Sequence, residues 1–261
     1  MIRSLIAAMV AGAALVSAEQ AGRPAPPAPT VRVAAASDLK FALDEGIARL
    51  AQRRPPIDVQ VTYGSSGTMH AQLTQRAPYD LFLSADVEYP RDLIGRGIGT
   101  DRDLFVYAIG RLVVWVPNGS SLPIERDGVR ALERATRIAI ANPVHAPYGR
   151  AAEAAMRRAG IWDRVSGRLV FGENVAQATQ FVQSGGADAG IIARSLAVAQ
   201  AMRGAGRFQD VPQDMHPPLL QGGLILPWAV SREATTRLRD FLVSDEGRLL
   251  LETNGFGLPP R

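Results

Sequence analysis

The most informative absence from this 261-residue sequence is cysteine, of which it has none. Without cysteine there are no disulfide bonds, no thiolate metal ligands and no residue for a lipoprotein anchor. The fold must be stabilised by its apolar core, and the hydrophobic content of 47% is enough for one in a chain of this length. We expect either one large domain or two smaller ones.

Lysine and histidine are also scarce. Lys40 is the only lysine, so the 29 basic residues that stand against 25 acidic ones are almost all arginine. They form no basic block with interleaved aromatic residues, which argues against a nucleic-acid partner. The three histidines, His70, His145 and His216, have dissimilar contexts and form no HxxxH pair, so no zinc site is predicted. We interpret His145 as a loop histidine.

The motifs of several enzyme classes are missing. No P-loop and no GxGxxG motif follows a predicted strand, and no pair of carboxylates suggests general acid–base catalysis. Residues 64–67 (GSSG) resemble the start of a nucleophile elbow, but Thr68 occupies the place of the second glycine of GxSxG. An exported serine hydrolase that uses Ser65 or Ser66 therefore remains the weaker functional alternative.

The one apolar run near the start, Leu5–Val16, is too short for a permanent membrane span. It follows Arg3 and ends in the small residues Val16, Ser17 and Ala18, which is typical of a secretory signal peptide cleaved after Ala18. We therefore predict a signal peptide over residues 1–18 and a Pro-rich tether over 19–30. The expected product is an exported, soluble protein.

The rest of the chain alternates strands and helices. The β-α-β-α-β rhythm predicts parallel sheets with helices on their faces. We predict two open α/β lobes, lobe I from residues 31–109 plus 226–261 and lobe II from residues 110–225 inserted into it. Two crossover strands, near Gly110–Val113 and Leu220–Leu224, are expected to join them. The predicted strands are Val31–Ala36, Ile57–Thr62, Asp80–Ser84, Arg111–Val116, Arg137–Ala141, Arg168–Phe171, Ala187–Ile192 and Leu219–Val230.

Four strand-to-helix junctions, two in each predicted lobe, carry small or polar residues. They are Ser37, Ser65-Ser66, Asn142–Tyr148 and Asn174-Val175. If the lobes face each other, four helix N-termini converge on the cleft and offer hydroxyl groups, backbone N–H groups and partial positive charge. A serine before a helix is more often only an N-cap. The convergence of four junctions nevertheless favours a binding site for a small oxyanion.

Six segments, in order and with matching spacing, resemble the periplasmic substrate-binding proteins of molybdate ABC importers. They are AAASDL (Ala34–Leu39), YGSSGT (Tyr63–Thr68), DLFLSAD (Asp80–Asp86), NPVHAPYG (Asn142–Gly149), GENVAQ (Gly172–Gln177) and ADAGII (Ala187–Ile192). The resemblance covers about Val31 to Leu258. It implies the type II periplasmic binding protein fold, with a ligand cleft between two lobes.

The resemblance also implies the residues of the ligand site. Ser37 and Ser66 match positions that give hydroxyl and amide donors, and Tyr148 and Val175 match positions that give backbone amides. The family often adds a tyrosine hydroxyl where this sequence has Ala193, so this possible fifth position lacks its donor. Arg194, a side chain from the Pro217–Gln221 segment, or a bridging water could replace it. Arg194 is expected to point away from the cleft if Ala193 faces it, because neighbouring residues on a strand point to opposite faces. We expect water, because a small alanine leaves room for it and the anion is a strong acceptor.

The function that the resemblance implies is extracytoplasmic capture of molybdate, and of tungstate, for delivery to a membrane permease of an ABC importer. Another tetrahedral oxyanion, such as sulfate, is the alternative ligand within this class. Molybdenum would enter only as bound molybdate through the same residues, with no cofactor and no catalytic residue. We expect a periplasmic monomer.

Overall fold

The computed structural model describes residues 28–260, which form two α/β lobes, each on a five-stranded sheet. The predicted α/β architecture with two lobes is confirmed. The predicted signal peptide and most of the predicted tether lie outside the described residues. No helix in residues 28–260 has both the length and the apolar character to cross a membrane.

The strands alternate with the helices along most of the chain. The strands are β1 (Thr30–Ala36), β2 (Asp58–Gly64), β3 (Leu81–Ser84), β4 (Leu104–Gly110), β5 (Leu112–Pro117), β6 (Ile138–Ala141), β7 (Leu169–Gly172), β8 (Ala189–Ala193), β9 (Gly206–Asp210) and β10 (Leu219–Ile225). The α-helices are α1 (Lys40–Ala51), α2 (Ser66–Thr74), α3 (Glu88–Gly95), α4 (Ile124–Asp127), α5 (Pro147–Arg158), α6 (Trp162–Val165), α7 (Val175–Gln183), α8 (Arg194–Ala197), α9 (Arg232–Val243) and α10 (Asp245–Thr253). Single turns of 3-10 helix cover Ser37–Leu39, Asp101–Asp103, Ser166–Arg168, Gln200–Met202 and Gln213–Met215, and a longer one covers Gly128–Arg134.

The two sheets have the same plan. In the first, with the order β2-β1-β3-β10-β4, strands β1, β2 and β3 run parallel and β10 is antiparallel to both its neighbours. In the second, with the order β7-β6-β8-β5-β9, strands β6, β7 and β8 run parallel and β5 is antiparallel. The carboxyl ends of parallel strands lie at one edge of a sheet, so each lobe collects its predicted junctions at one edge.

The apolar sequence explains why these strands are central. Residues 33–36 of β1 are all buried, as expected for a strand covered by helices on both faces. Helix α1 then buries Ala42, Leu43, Gly46 and Leu50, which repeat at helical spacing. The core of the second lobe also includes Ala36 and Ala85, which follow or end strands of the first lobe. The lobes are therefore packed together at the edges that carry the junctions.

The chain crosses between the sheets twice. Strand β4 ends at Gly110 and β5 begins at Leu112 in the other sheet, so the first crossing lies at Arg111. The second lies between β9, which ends at Asp210, and β10, which begins at Leu219. Residues 219–225 thus belong to the first sheet, whereas we predicted a boundary after 225. The sequence shows a β-rich run there but not which sheet it joins.

Candidate functional site

A small cavity, here named the cleft cavity, lies between the lobes where the four predicted junctions meet. Its wall is formed by Ala36, Ser37, Asp38, Gly64, Ser65, Ser66, Ala85, Ala146, Pro147, Tyr148, Asn174 and Val175. Its free volume, about 10 Å³, is close to the room that one buried water needs. A tetrahedral oxyanion is larger than a water molecule, so it fits only if the walls of the cavity move apart.

Ser37 presents a hydroxyl whose proton is free. The side chain follows β1 and is 3% exposed, and its Oγ accepts a hydrogen bond from the backbone N–H of Ala176 in the other lobe, over 3.3 Å. The N-cap positions beside it belong to Ala36 and Leu39, and Ser37 caps neither helix. An oxygen that accepts from an amide can still donate its own proton to a ligand.

Ser66 has the same arrangement at the second junction. It is the first residue of α2, and its buried Oγ accepts from the N–H of Ala85 over 2.9 Å. Ser65 is the N-cap: its Oγ accepts from the N–H of Thr68 over 3.3 Å and donates to Thr68 Oγ1 over 2.8 Å. The Ser65 hydroxyl thus has hydrogen-bond partners within the helix cap. The Ser66 proton has no acceptor among the described residues and is available to a ligand.

Backbone amides complete the wall from the second lobe. Val175 begins α7, and Asn174 Oδ1 accepts from the N–H groups of Ala176 and Gln177 over 3.0 and 3.1 Å. The cap therefore does not bond the Val175 amide, which lies in the first turn where no intrahelical acceptor exists. This amide is available to a ligand. Tyr148 occupies the equivalent first turn of α5, directly after Pro147. Both amides carry the positive end of a helix dipole.

The position of α5 depends on Gly149. A Cβ at this residue would lie 2.2 Å from the carbonyl oxygen of Ala141, at the end of β6. Only glycine allows the first turn of α5 to approach β6 this closely. The helix begins at Pro147, inside the predicted Asn142–Tyr148 junction, so Tyr148 lies within its first turn.

No lysine or arginine belongs to the wall formed by the described residues. One wall residue is acidic: Asp38, whose Oδ2 accepts from the Tyr148 hydroxyl over 2.9 Å and from Gln221 Nε2. Burial raises the pKa of the Asp38 carboxyl to about 6, although the hydrogen bonds from Gln221 and Tyr148 act to lower it. The Tyr148 pKa is raised well above its usual value, by burial first and then by the Asp38 charge.

The possible fifth position lies outside the wall. Ala193 ends β8 and is fully buried, but the described residues of the wall do not include it. Arg194 has its Nε 3.0 Å from Asp210 Oδ1 in an ion pair. Gln221, from the predicted 217–221 segment, contacts Asp38 and Tyr148. Neither of the two predicted side-chain replacements therefore borders the cleft cavity.

Contacts between the lobes surround the cavity, and the sequence analysis missed them. The carbonyl oxygen of His145 accepts from the N–H of Gly67 over 2.9 Å, and His145 Nδ1 lies 2.9 Å from Ser65 Oγ. Arg150 donates to Asp86 Oδ2 over 2.7 Å and to the Tyr89 hydroxyl over 2.9 Å. His145 is thus a bridge between lobes as well as a loop residue, and no local sequence signal indicates this.

The arrangement does not support the alternative of a serine hydrolase. Ser65 Oγ lies 2.9 Å from His145 Nδ1, but it also lies 2.8 Å from Thr68 Oγ1 and accepts from the Thr68 N–H, so it is held as the N-cap of α2. Glu173 lies 3.5 Å from the other His145 nitrogen and is 75% exposed. Among the described residues no histidine hydrogen-bonds Ser66, and no group of three or more His, Asp or Glu side chains could hold a metal ion.

Comparisons with known proteins cover both lobes and the cleft. Residues 31–257 match the model of a family described as bacterial extracellular solute-binding protein. The molybdate-binding protein ModA of Rhodobacter capsulatus is 31% identical over 76% of this chain and 77% of its own length. ModA of Azotobacter vinelandii is 32% identical over 77% of this chain and 79% of its own length. The solved structure of the Azotobacter vinelandii periplasmic molybdate-binding protein aligns with a TM-score of 0.78 and 28% identity, covering 88% of this chain and 100% of that one.

Proposed function

Because the chain belongs to the bacterial extracellular solute-binding proteins, we propose that it binds molybdate in the cleft cavity and delivers it to the membrane permease of an ABC importer. The family consists of solute-binding proteins and not of enzymes. The predicted type II periplasmic binding protein fold is confirmed by the likeness to the Azotobacter vinelandii structure.

One observation carries the proposal: the wall brings two free serine protons and two helix N-terminal amides to one small cavity. The donors are the hydroxyls of Ser37 and Ser66 and the amides of Tyr148 and Val175. Each serine oxygen accepts a hydrogen bond from a backbone N–H, but its own proton has no acceptor among the described residues. A dry oxyanion with four acceptor oxygens fits this set, because each oxygen can accept from one or more donors.

Selectivity follows from the neutral, rigid donors. A cage with fixed donor positions discriminates by size, and a smaller oxyanion such as sulfate cannot reach all the donors together. Phosphate carries a proton near neutral pH, and none of the four donor groups can accept that proton. Tungstate is nearly the same size as molybdate and should bind equally. We propose that a water molecule beside the oxyanion supplies the donor absent at Ala193.

The remaining proposals concern the protein in its cell. Residues 1–18 would direct export and be removed near Ala18, which would leave a periplasmic monomer. No cofactor is required, since molybdenum would be present only within the ligand.

The test is a thermal-shift and calorimetric panel on the mature chain with molybdate, tungstate, sulfate, phosphate and vanadate. We expect strong stabilisation by molybdate and tungstate and little by sulfate or phosphate, because ligands that bind only the folded state raise its melting temperature. Equal stabilisation by sulfate and molybdate would replace the proposed ligand with a broader oxyanion class. Hydrolysis of a generic ester that is lost in Ser66→Ala would favour the hydrolase instead.

A further inference from the structure

A buried polar cluster, here named the Asp38 cluster, includes two residues of the cleft-cavity wall and extends away from the cavity. It consists of Asp38, Tyr148 and Gln221, which are 1%, 2% and 0% exposed. The Tyr148 hydroxyl and Gln221 Nε2 both donate to the same oxygen, Asp38 Oδ2. The Tyr148 hydroxyl thus contacts Asp38, while the Tyr148 backbone amide is the proposed donor to the ligand.

The Asp38 cluster joins the two lobes. Asp38 follows β1 and Gln221 lies in β10, both in the first lobe, whereas Tyr148 lies in α5 of the second lobe. A second hydroxyl from that lobe reaches the same residue, since Ser195 Oγ donates to the main-chain oxygen of Asp38 over 2.8 Å. Separation of the lobes would break both contacts.

The cluster also lies against the first crossing between the sheets. A Cβ at Gly110, the last residue of β4, would lie 2.5 Å from the Tyr148 hydroxyl and 3.1 Å from Gln221 Nε2. The hydroxyl therefore occupies space directly beside the residue at which the chain leaves the first lobe. The Asp38 cluster thus connects the crossing point to the ligand cavity.

The Asp38 cluster has more buried acceptor atoms than donors, so no other group of the cluster can take over the hydrogen bond of the Tyr148 hydroxyl. Asp38 Oδ1 and Gln221 Oε1 are buried acceptors without a hydrogen-bond partner in residues 28–260. Such a group is costly to bury, and a buried carboxylate that loses one of its few donors becomes more costly still. The loss would fall on the closed state, where Asp38 is enclosed by both lobes.

We propose that the Tyr148 hydroxyl and the Asp38 carboxyl are positioning groups for the oxyanion: their hydrogen bond forms as the lobes close and holds the Tyr148 amide in the cavity wall. Affinity then depends on a contact that does not touch the ligand. The inference rests on the proposed function of the cleft cavity.

Tyr148→Phe tests the positioning role, with Tyr107→Phe as the matched control. Tyr107 is also 1% exposed, and its hydroxyl donates to the carbonyl oxygen of Ser84 over 3.0 Å, within the first lobe. Each variant removes one buried hydroxyl, but only Tyr148→Phe removes a contact between lobes. We expect Tyr148→Phe to weaken molybdate binding about tenfold, or 1.4 kcal/mol, with an unchanged melting temperature of the ligand-free chain. Tyr107→Phe should lower that melting temperature and keep the affinity within about twofold.

Two Asp38 variants complete the test. Asp38→Asn keeps an acceptor for the Tyr148 hydroxyl and should retain more affinity than Asp38→Ala. The effects of Asp38→Ala and Tyr148→Phe should not add in the double variant, because both remove the same hydrogen bond. Wild-type affinity in Tyr148→Phe, or equal behaviour of the two tyrosine variants, would overturn the positioning role alone. Absence of molybdate binding by the wild-type chain would overturn the proposed function and this inference together.

Discussion

Ser37, Ser65 and Ser66 have the same side chain but different hydrogen bonds. Ser65 caps α2, whereas Ser37 and Ser66 accept from the other elements of the cavity wall and can donate to a ligand. We expect Ser37→Ala and Ser66→Ala each to weaken molybdate binding by about 1.5–3 kcal/mol, the range for hydrogen bonds to charged groups. Ser65→Ala removes the N-cap of α2 and should instead cost about 1 kcal/mol of folding stability, with a smaller loss of affinity. Calorimetric titration and thermal melts on the same three variants separate the two roles. Equal affinity losses in all three would contradict this assignment.

The Arg194→Ala variant tests whether the Arg194 guanidinium replaces the donor that is missing at Ala193. Because its guanidinium pairs with Asp210 and does not border the cavity, Arg194→Ala should change molybdate affinity by less than about threefold. The ion pair is partly exposed, so its contribution to stability is expected to be about 0–1 kcal/mol. A large affinity loss with an unchanged melting temperature would show that Arg194 reaches the ligand.

The Asp38 carboxyl predicts a pH dependence of binding. Its pKa is about 6 in the closed structure, against an ordinary 3.8, because burial disfavours the charged form. A raised pKa means that the closed state gains stability below the ordinary pKa and loses it as the pH rises through about 6. Proton linkage then predicts affinity about tenfold weaker at pH 7 than at pH 5.

Asp38→Asn is the control for this pH effect, since an amide does not titrate. Titrations with tungstate at pH 5, 6 and 7 should show the decline in the wild-type chain and a flatter profile in the variant. Parallel profiles in the two proteins would show that Asp38 does not set the pH dependence of binding.

At the scale of elements, Gly149 links the start of α5 to the end of β6. Gly149→Ala should destabilise the protein by about 1–3 kcal/mol, because the new Cβ would meet backbone atoms that cannot move aside. It should also weaken binding, since the first turn of α5 carries the Tyr148 amide. Gly95→Ala, near the end of α3 with nothing within 4 Å, is the matched control and should be neutral or slightly stabilising. Urea unfolding measures the stability of both variants, and calorimetric titration with molybdate measures their affinity. Equal unfolding free energies would contradict the close approach of α5 to β6 at Gly149.

The elements that the sequence predicted best are those with buried, apolar strands. Residues 33–36 of β1 and all of β3 lie in the core, and their runs of apolar residues are clear. Strands β4 and β9 were not predicted. All residues of β9 are partly or fully exposed and form no apolar run, whereas β4 has an apolar run that was not assigned to a strand. The start of α5 at Pro147 was not predicted, because proline is typical of the turn expected in the Asn142–Tyr148 junction, although it is also favoured at the first helical position.

The site was predictable to the extent that it depends on local junctions. Ser37, Ser66, Tyr148 and Val175 each stand beside a recognisable strand end, and the structure brings them to one cavity. The Asp38 cluster was not predictable, because its hydrogen bonds join residues far apart in the chain. Asp38 and Tyr148 are separated by 110 positions, and Asp38 and Gln221 by 183. No sequence pattern encodes a side-chain contact at such separations when the two residues lie in elements that meet only in the folded chain.

At the scale of the whole molecule, the lobes present complementary charged groups outside the cavity. Arg150 of the second lobe bonds Asp86 and Tyr89 of the first. The Arg150 and Asp86 side chains are 41% and 27% exposed, so the pair should contribute at most about 1 kcal/mol. We expect Arg150→Ala to weaken molybdate binding by less than about fivefold, through faster dissociation. Stopped-flow measurements of both rate constants check this, and an effect confined to the association rate would contradict it.

The last prediction concerns closure itself. Ser37 and Ser66 lie in one lobe and Tyr148 and Val175 in the other, so an open molecule can offer a ligand only half of these donors. The ligand therefore binds the closed state more tightly and shifts the population towards it. Small-angle scattering should report a smaller radius of gyration when molybdate is added to the wild-type chain. Ser66→Ala at the same molybdate concentration should compact less, since fewer molecules are occupied. If calorimetry shows saturation while the radius stays constant, the lobes are already closed without ligand, and the Tyr148 hydroxyl cannot act through closure.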